Sequence, residues 1–348
     1  MTPIPAIRES VIDYCAKIGA DSMLVQGAGG NVSWKDNDTL WVKASGTWLA
    51  DAKTKDIFVP VDLTHLRIAI SNQNFFATPK VVGTSTLRPS IETFLHALMP
   101  HKIVVHLHAV EILSILVRVN PLIEFERSVN SSVKWSFVDY FKPGSELAQA
   151  VASELVLHTD VDVIFLRSHG VVIGGESIAS IETTFQKLVN RLENRKLSFL
   201  SDNTFVKADP ILVSNGYRLC NDNEVNQLAI NMHLSERLAN EWVLYPDHAV
   251  FLGSKAFILQ SSVDINDYDN LNIINPAFIF HIGSGIYESQ NVSDAQRVQL
   301  RCYFDVIIRQ SVNEKLLPLT KEAIAELLIW DAEKYRQLKS MKVGTDNV

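Results

Sequence analysis

Hydrophobic and polar positions along the chain set out a succession of short strands and helices. Apolar residues at Ile7, Val11, Ile12 and Cys15 follow the spacing of one helix face, which predicts a helix over 5–20 broken at Gly19. Val32-Ser33-Trp34 and Thr39-Leu40-Trp41-Val42-Lys43 flank the polar turn Asp36-Asn37-Asp38 and predict a hairpin, with Ile57–Val61 as a further strand. A helix starting near Ser90 carries Glu92 and His96. Ile103 to His106 is an unbroken apolar run suited to a buried strand, and 109–119 suits an apolar helix. Pro143-Gly144-Ser145 opens a helix to about His158, with Ser145 as its N-cap. Val161–Leu166 and Val171-Val172-Ile173 are strands divided by the His169-Gly170 turn, and 177–200 is a long amphipathic helix. Strands outnumber β-α-β units here, so the pattern predicts an α/β fold with a mixed, largely antiparallel sheet flanked by helices over residues 1–205.

The pattern lapses into polar residues at Ser201-Asp202-Asn203, and a domain boundary is expected there. Residues 206–348 then read as a smaller α/β domain. It has a helix at 222–240, strands at Ala249–Leu252 and Ala277–His281, and helices at 292–313 and 319–338. The tail Met341–Val348 is expected to be loose.

Composition narrows the function classes. The chain has 348 residues, 47% hydrophobic and 20% charged, enough for two ordinary globular domains. A net charge of −7 without a Lys/Arg block argues against a nucleic-acid surface. No apolar run reaches the roughly 18 residues of a membrane helix, and the N-terminus lacks the pattern of a signal peptide. Cys15, Cys220 and Cys302 are few, odd in number and far apart, which suits free thiols in a reducing cytoplasm.

The chemistry concentrates in two places. Alternation along a strand puts His106 and His108 on one face, with Leu107 opposite, an arrangement that a single metal ion can span. Ile164-Phe165-Leu166-Arg167-Ser168-His169-Gly170 is another apolar strand ending in His, and His169 is the candidate third ligand. The plainer alternatives are core or turn histidines, and for Glu92 a carboxylate settled on a helix dipole. In Gly27-Ala28-Gly29-Gly30-Asn31, successive backbone N–H groups can cradle an anion, with Ser45, Gly46 and Ser90 as further donors. The same glycines also suit a tight hairpin entry.

Taken in order, Gly27-Ala28-Gly29-Gly30-Asn31-Val32-Ser33, Ala44-Ser45-Gly46, Arg88-Pro89-Ser90-Ile91-Glu92 with His96, His106-Leu107-His108 and Ser168-His169-Gly170 resemble the class II aldolase/adducin family over about residues 5–200. Tyr245–Gly253 and His281–Tyr287 extend the likeness to the aldolase half of predicted bifunctional rhamnulose-phosphate aldolase/alcohol dehydrogenases. No glycine pattern of a dinucleotide-binding half is read. The resemblance implies a cytoplasmic, metal-dependent lyase of carbohydrate metabolism that cleaves a sugar, sugar phosphate or related hydroxy acid through an enediolate. His106, His108 and His169 would hold a divalent metal, zinc by preference. Glu92 would move a proton, and Gly29, Gly30, Asn31, Ser45, Gly46 and Ser90 would form the anion pocket. Family sites lie between subunits, which implies a homo-oligomer, by preference a tetramer. A metal-dependent epimerase or decarboxylase on the same scaffold, and a non-catalytic adducin-like binding module, are the rival functions.

Two departures bear on the substrate. Ala28 and Ile91 stand where sugar-phosphate aldolases carry hydroxyl donors, which weakens the case for a phosphate. Phe125 falls where a catalytic tyrosine is expected, leaving Glu124, Glu126, Tyr140 or water as the acid. His248 and His281 lack partners at ligand spacing and read as structural or interface residues.

Overall fold

The computed structural model describes residues 6–129, 133–192, 207–262, 265 and 276–341. The chain divides into two compact units: Met1–Glu193 together with Ile329–Val348, and Asn194–Leu328. The expected cut at 205/206 falls outside the described residues. The last twenty residues, which the sequence pattern assigns to the second domain, group instead with the first unit.

The first unit carries strands β1 (Asn31–Asp36), β2 (Thr39–Lys43), β3 (Phe58–Asp62), β4 (Ile103–Leu107), β5 (Trp135–Val138), β6 (Val163–Leu166) and β7 (Gly170–Gly175). They form one sheet in the order β3-β2-β1-β4-β7-β6-β5. Every neighbouring pair is antiparallel except β5 beside β6, so the sheet is mixed and largely antiparallel, as the pattern predicts. The helices are α1 (Ala6–Gly19), α2 (Leu63–Ser71), α3 (Thr93–Leu98), α4 (Val110–Leu116), α5 (Pro121–Ser128), α6 (Ser145–Leu157) and α7 (Ile178–Val189).

β4 reads as an unbroken apolar run because both of its faces are covered. Ile103, Val105 and Leu107 pack with Phe165, Val171 and Ile173 in a core shared with Val11 and Ile18 of α1, Ile112 of α4 and Ile181 of α7. Val104 looks the other way, into a core with Ile164, Leu166 and Val172 that is closed by Leu95 of α3 and by Leu147 and Val151 of α6. His106 shares the face of Val104, which turns it towards α3.

In the second unit β8 (Tyr217–Leu219), β9 (Ile258–Leu259), β10 (Phe278–His281) and β11 (Gly285–Ser289) form a sheet in the order β8-β11-β10-β9. The expected strand at Ala249–Leu252 is instead part of the helix Pro246–Leu252. Proline stands at its first position, Asp247 in its first turn, and Gly253 stops it at φ 85°. A short buried apolar run does not distinguish helix from strand, and here the flanking residues decide. The expected helix 222–240 is two, Asn223–Ile230 and Met232–Asn240. Asn231 breaks it, with its side chain accepting from the His233 and Leu234 N–H groups. The expected helix 319–338 breaks at Trp330 into Lys321–Ile329 and Asp331–Met341, the second starting with acidic residues in its first turn. Helix Asp294–Ile307 replaces the expected 292–313, opened by a Ser293/Gln296 capping box. Cys15, Cys220 and Cys302 are free thiols. Among the described residues no helix is long and apolar enough to cross a membrane.

His248 lies fully buried against Trp242 and Tyr303, with ring centroids 4.2 and 4.8 Å away. Its Nε2 accepts from the Val243 N–H at 3.4 Å, so the structural reading of this histidine fits its surroundings. Burial pushes its pKa down from 6.5 to about 3. The unfolded chain therefore takes up a proton at a pH where the folded chain does not. Stability from this group is complete above about pH 6.5 and is lost as pH falls towards 3, by roughly 1.4 kcal/mol per pH unit. Urea unfolding of the second unit at pH 7 and pH 5 should differ by about 2 kcal/mol from this residue alone. His248→Gln, which keeps an acceptor, should flatten that dependence; an unchanged slope would count against the assignment.

Candidate functional site

The site is assembled by strand register. Asn31 of β1 is the cross-strand neighbour of His106, and Ser33 of Val104, so all four lie on the α3 side of the sheet. His106 is itself opposite Val172 of β7. Its Nδ1–H donates to the Val171 carbonyl at 3.1 Å, which fixes the tautomer and leaves Nε2 as a metal-ligating nitrogen. His108 follows the end of β4, and its Nε2 lies 3.1 Å from that of His106. His169 sits in the turn from β6 to β7. Ser168 before it holds φ +50°, and the His169 N–H donates to the Leu166 carbonyl at 3.1 Å. Gly170 after it leaves no room for a side chain. An added Cβ would lie 2.3 Å from the Leu107 carbonyl oxygen and about 3 Å from both the His106 and His108 rings.

These elements converge. One ligating nitrogen each from His106, His108 and His169 lie within 4.8 Å of one another, and all three residues are buried. A tetrahedral zinc with bonds of about 2.0–2.1 Å needs its nitrogens roughly 3.3 Å apart, so modest ring rotation closes the group. Glu92 completes it. Its carboxylate oxygens lie 3.6 Å from His106 Nε2 and 3.4 Å from His169 Nε2. Among the described residues Glu92 Oε1 is buried without a hydrogen-bond partner, which fits an acid that shares its place with a cation or substrate.

Glu92 is not inside the helix that carries His96. It precedes Thr93, the first residue of α3, and its side chain caps no backbone N–H. The carboxylate instead accepts from Asn31 Nδ2 at 2.6 Å, while its backbone N–H donates to Ser90 Oγ at 3.2 Å. Burial pushes the Glu92 carboxyl pKa up. The charges of His106, His169 and His108, with a further part from Arg336, pull it down by more, so it lies below the ordinary carboxylate range. His96 is buried, with Nδ1 2.7 Å from Ser33 Oγ. Burial first, then the charges of His106, Lys35 and Lys43, hold its pKa well below 6.5, so it remains neutral behind the centre.

Of the expected anion-pocket residues, Asn31 and Ser90 contact Glu92 and Gly30 lies against the His106 carbonyl, and several donors of the set are already engaged. The Gly29 N–H donates to the Gln26 carbonyl at 3.0 Å, and the Ser45 N–H to the Arg88 carbonyl at 2.9 Å. Asn31 is held by Glu92, and Ser90 Oγ accepts from Glu92. Gly30 at φ +64° passes close beside Val25 and the His106 carbonyl, and Gly46 at φ +78° passes beside Lys339. The buried Lys43, whose ammonium donates to the Ala28 carbonyl at 3.0 Å, is a neighbour that the motifs do not signal. Phe125 is fully buried and stacks on Phe165 at 4.0 Å, so it is a core residue rather than a displaced catalytic group. Glu124 is paired with Arg118, and Glu126 is exposed.

His169→Ala removes one of three candidate metal donors. Equilibrium dialysis against zinc should show weakening well beyond the roughly 10–100-fold typical of an outer-shell change. Equal zinc retention by this variant and the wild type would remove His169 from the donor set.

The profile of the Class II Aldolase and Adducin N-terminal domain matches residues 9–193, more than half of the chain. The uncharacterized oxidoreductase YuxG of Bacillus subtilis is 29% identical over 206 residues, 55% of this chain and 29% of that protein. L-fuculose phosphate aldolase of Methanocaldococcus jannaschii is 29% identical over 179 residues, 49% of this chain and 85% of that protein. Among solved structures, the N-terminal class II aldolase domain of a conserved protein from Thermoplasma acidophilum aligns with a TM-score of 0.47 at 29% identity, covering 56% of this chain and 95% of that one. The chain thus spans about three tenths of the length of the first of these relatives. The profile match runs from α1 past α7 and takes in Glu92 and all three histidines, and the chain belongs to the class II aldolase/adducin family.

Proposed function

We propose that the first unit is a metal-dependent aldolase that reversibly cleaves a sugar, sugar phosphate or related hydroxy acid. The observation that carries this reading is the convergence of three buried imidazoles on one face of a buried carboxylate. A scaffold with only a binding role has no need to bury a carboxylate among three histidines, because its desolvation is costly. Three neutral imidazoles and an acid suit a divalent cation, and we take zinc as the first candidate. When bound there, such an ion supplies a Lewis acid for the negative oxygen that develops during C–C cleavage.

The chain's own residues have separate tasks. In retro-aldol cleavage the hydroxyl of the leaving carbon gives up its proton to a base, for which Tyr140 and water are the candidates, and that carbon becomes an aldehyde. The bond pair passes into an enediolate, whose carbon then takes a proton. Glu92 is assigned that proton transfer, with Asn31 holding one carboxylate oxygen in place. His106 is oriented by the Val171 carbonyl, and Gly170 allows the turn to lie against both rings. The same reading extends to a homo-oligomer and to a supporting role for the second unit, in assembly or in covering the site.

Glu92→Gln keeps the shape and the Asn31 contact but cannot carry the proton. In the zinc-loaded chain, assayed by aldehyde release from ketose 1-phosphates, free ketoses and hydroxy acids, turnover should fall about 10²–10⁴-fold with zinc content unchanged. Near-normal turnover would remove Glu92 from the mechanism. Carbon dioxide release, or epimer formation without aldehyde, would transfer the protein to the rival enediolate chemistries.

A further inference from the structure

Two side chains of β1 and two of the segment that leads into α3 meet in pairs. Asn31 Nδ2 donates to Glu92 Oε2 at 2.6 Å, and Ser33 Oγ lies 2.7 Å from His96 Nδ1. Asn31 and Ser33 are two residues apart on one face of a strand, a span of roughly 7 Å. Glu92 and His96 are four residues apart, about 6 Å along a helix axis, and the His96 N–H donates to the Glu92 carbonyl at 3.2 Å. The two spacings match, so the segment lies along β1 in one register, and a slide by one residue would break both contacts.

Hydrophobic packing does not account for a histidine at this place. Phe94, Leu95 and Ala97 of the same short helix are buried apolar side chains. His96 has no exposed surface, and among the described residues its Nε2 is buried without a hydrogen-bond partner, a cost that an apolar side chain would avoid. Burial keeps the ring neutral, so its part in the site is the contact with Ser33 rather than a charge. Glu92 gains no support from the helix it precedes, because its side chain caps no backbone N–H. Its backbone is tied on one side by Ser90, whose Oγ accepts the Glu92 N–H at 3.2 Å and whose carbonyl accepts from Thr93 Oγ1 at 2.6 Å. On the other side the tie is His96 to Ser33, one turn along.

We propose that His96 is a positioning residue for the proton transfer: through Ser33 it locks the first turn of α3 to β1, and so holds the Glu92 carboxylate at its place before His106 and His169. This rests on the aldolase reading above. The carboxylate oxygens stand 3.6 Å from His106 Nε2 and 3.4 Å from His169 Nε2, on a side chain with three rotatable bonds. Asn31 fixes one of those oxygens, but only while Glu92 keeps its position along β1. The second bridge holds that position, since Ser33 and Asn31 belong to the same strand. A proton-transfer group displaced by about 1 Å can lose two orders of magnitude in rate, so a contact that holds the register of its backbone bears on turnover.

The test uses the zinc-loaded full chain and the aldehyde-release assay on the same substrates. An asparagine amide falls where the imidazole carries Nδ1, and a glutamine amide where it carries Nε2. His96→Gln should therefore lower kcat about 10- to 100-fold with KM and zinc content unchanged, whereas His96→Asn keeps the Ser33 contact and should restore most of the turnover. Ser33→Ala breaks the same contact from the strand side and should match His96→Gln; it carries the comparison if His96→Gln does not fold. Combining the two should cost little more than either, in kcat and in the urea midpoint of unfolding, the second of which reads the contact without reference to activity. In a Glu92→Gln background His96→Gln should leave kcat where it is, because the group it positions is already gone. The proposal is overturned if both His96→Gln and Ser33→Ala turn over normally, if His96→Asn is no better than His96→Gln, or if the loss of kcat is the same with and without Glu92, the mark of a purely structural role. If the wild type releases aldehyde from none of the substrates although zinc is retained, the aldolase reading itself fails, and this inference falls with it.

Discussion

The burial of Glu92 among His106, His108 and His169 is the interaction to which the rest of the first unit is fitted. A carboxylate out of water is costly unless charge and hydrogen bonds surround it. Here the Asn31 amide donates to one oxygen, which His106 also faces, and His169 faces the other. The cluster requires that β1 and β4 pair in a single register, since a slip by one residue would turn Asn31 and His106 to opposite faces. The two hydrophobic cores on either side of β4 supply that constraint, because the same slip would expose Val104 and Val105 to the wrong partners.

Backbone conformation at the site follows from the same convergence. Ser168 adopts a left-handed φ so that His169 can turn back towards β4, and Gly170 lies so near the Leu107 carbonyl that any side chain would force the strands apart. Strained or glycine-only positions of this kind persist where surrounding packing over-determines them. The tight β6–β7 turn and the close strand contact are therefore parts of one device that sets the third imidazole beside the first two.

The second unit has a different character. Its buried and half-buried polar groups make mutual contacts that suit a structural role, such as Arg301 with Asp305 and Asp222, and Gln299 with Asp247. Among the described residues the group with metal-ligand geometry lies in the first unit. The chemistry proposed for the chain is thus concentrated in residues 29–170.

Local order in the sequence determined much of this. The apolar run ending in His106-Leu107-His108, the strand ending in His169-Gly170 and the early Glu92 are legible because strand periodicity and turn chemistry are local properties, and five motifs in order, these among them, carried the resemblance to the family. The sheet's antiparallel character followed from the hairpins in the same way. Where local signals were ambiguous, the tertiary structure decided. Val250 and Phe251 suit either strand or helix until Pro246 and Gly253 are weighed. The helix over 319–338 gives no hint that it breaks at Trp330, or that its second half is buried through Glu333 and Arg336 with Leu338 left outside. That inversion has no periodic signature, because the surface the helix packs on, including Gly46 and Arg88, lies some 240 to 290 residues earlier in the chain. Only folding brings them together, and local periodicity carries no record of a contact between segments so far apart in the chain.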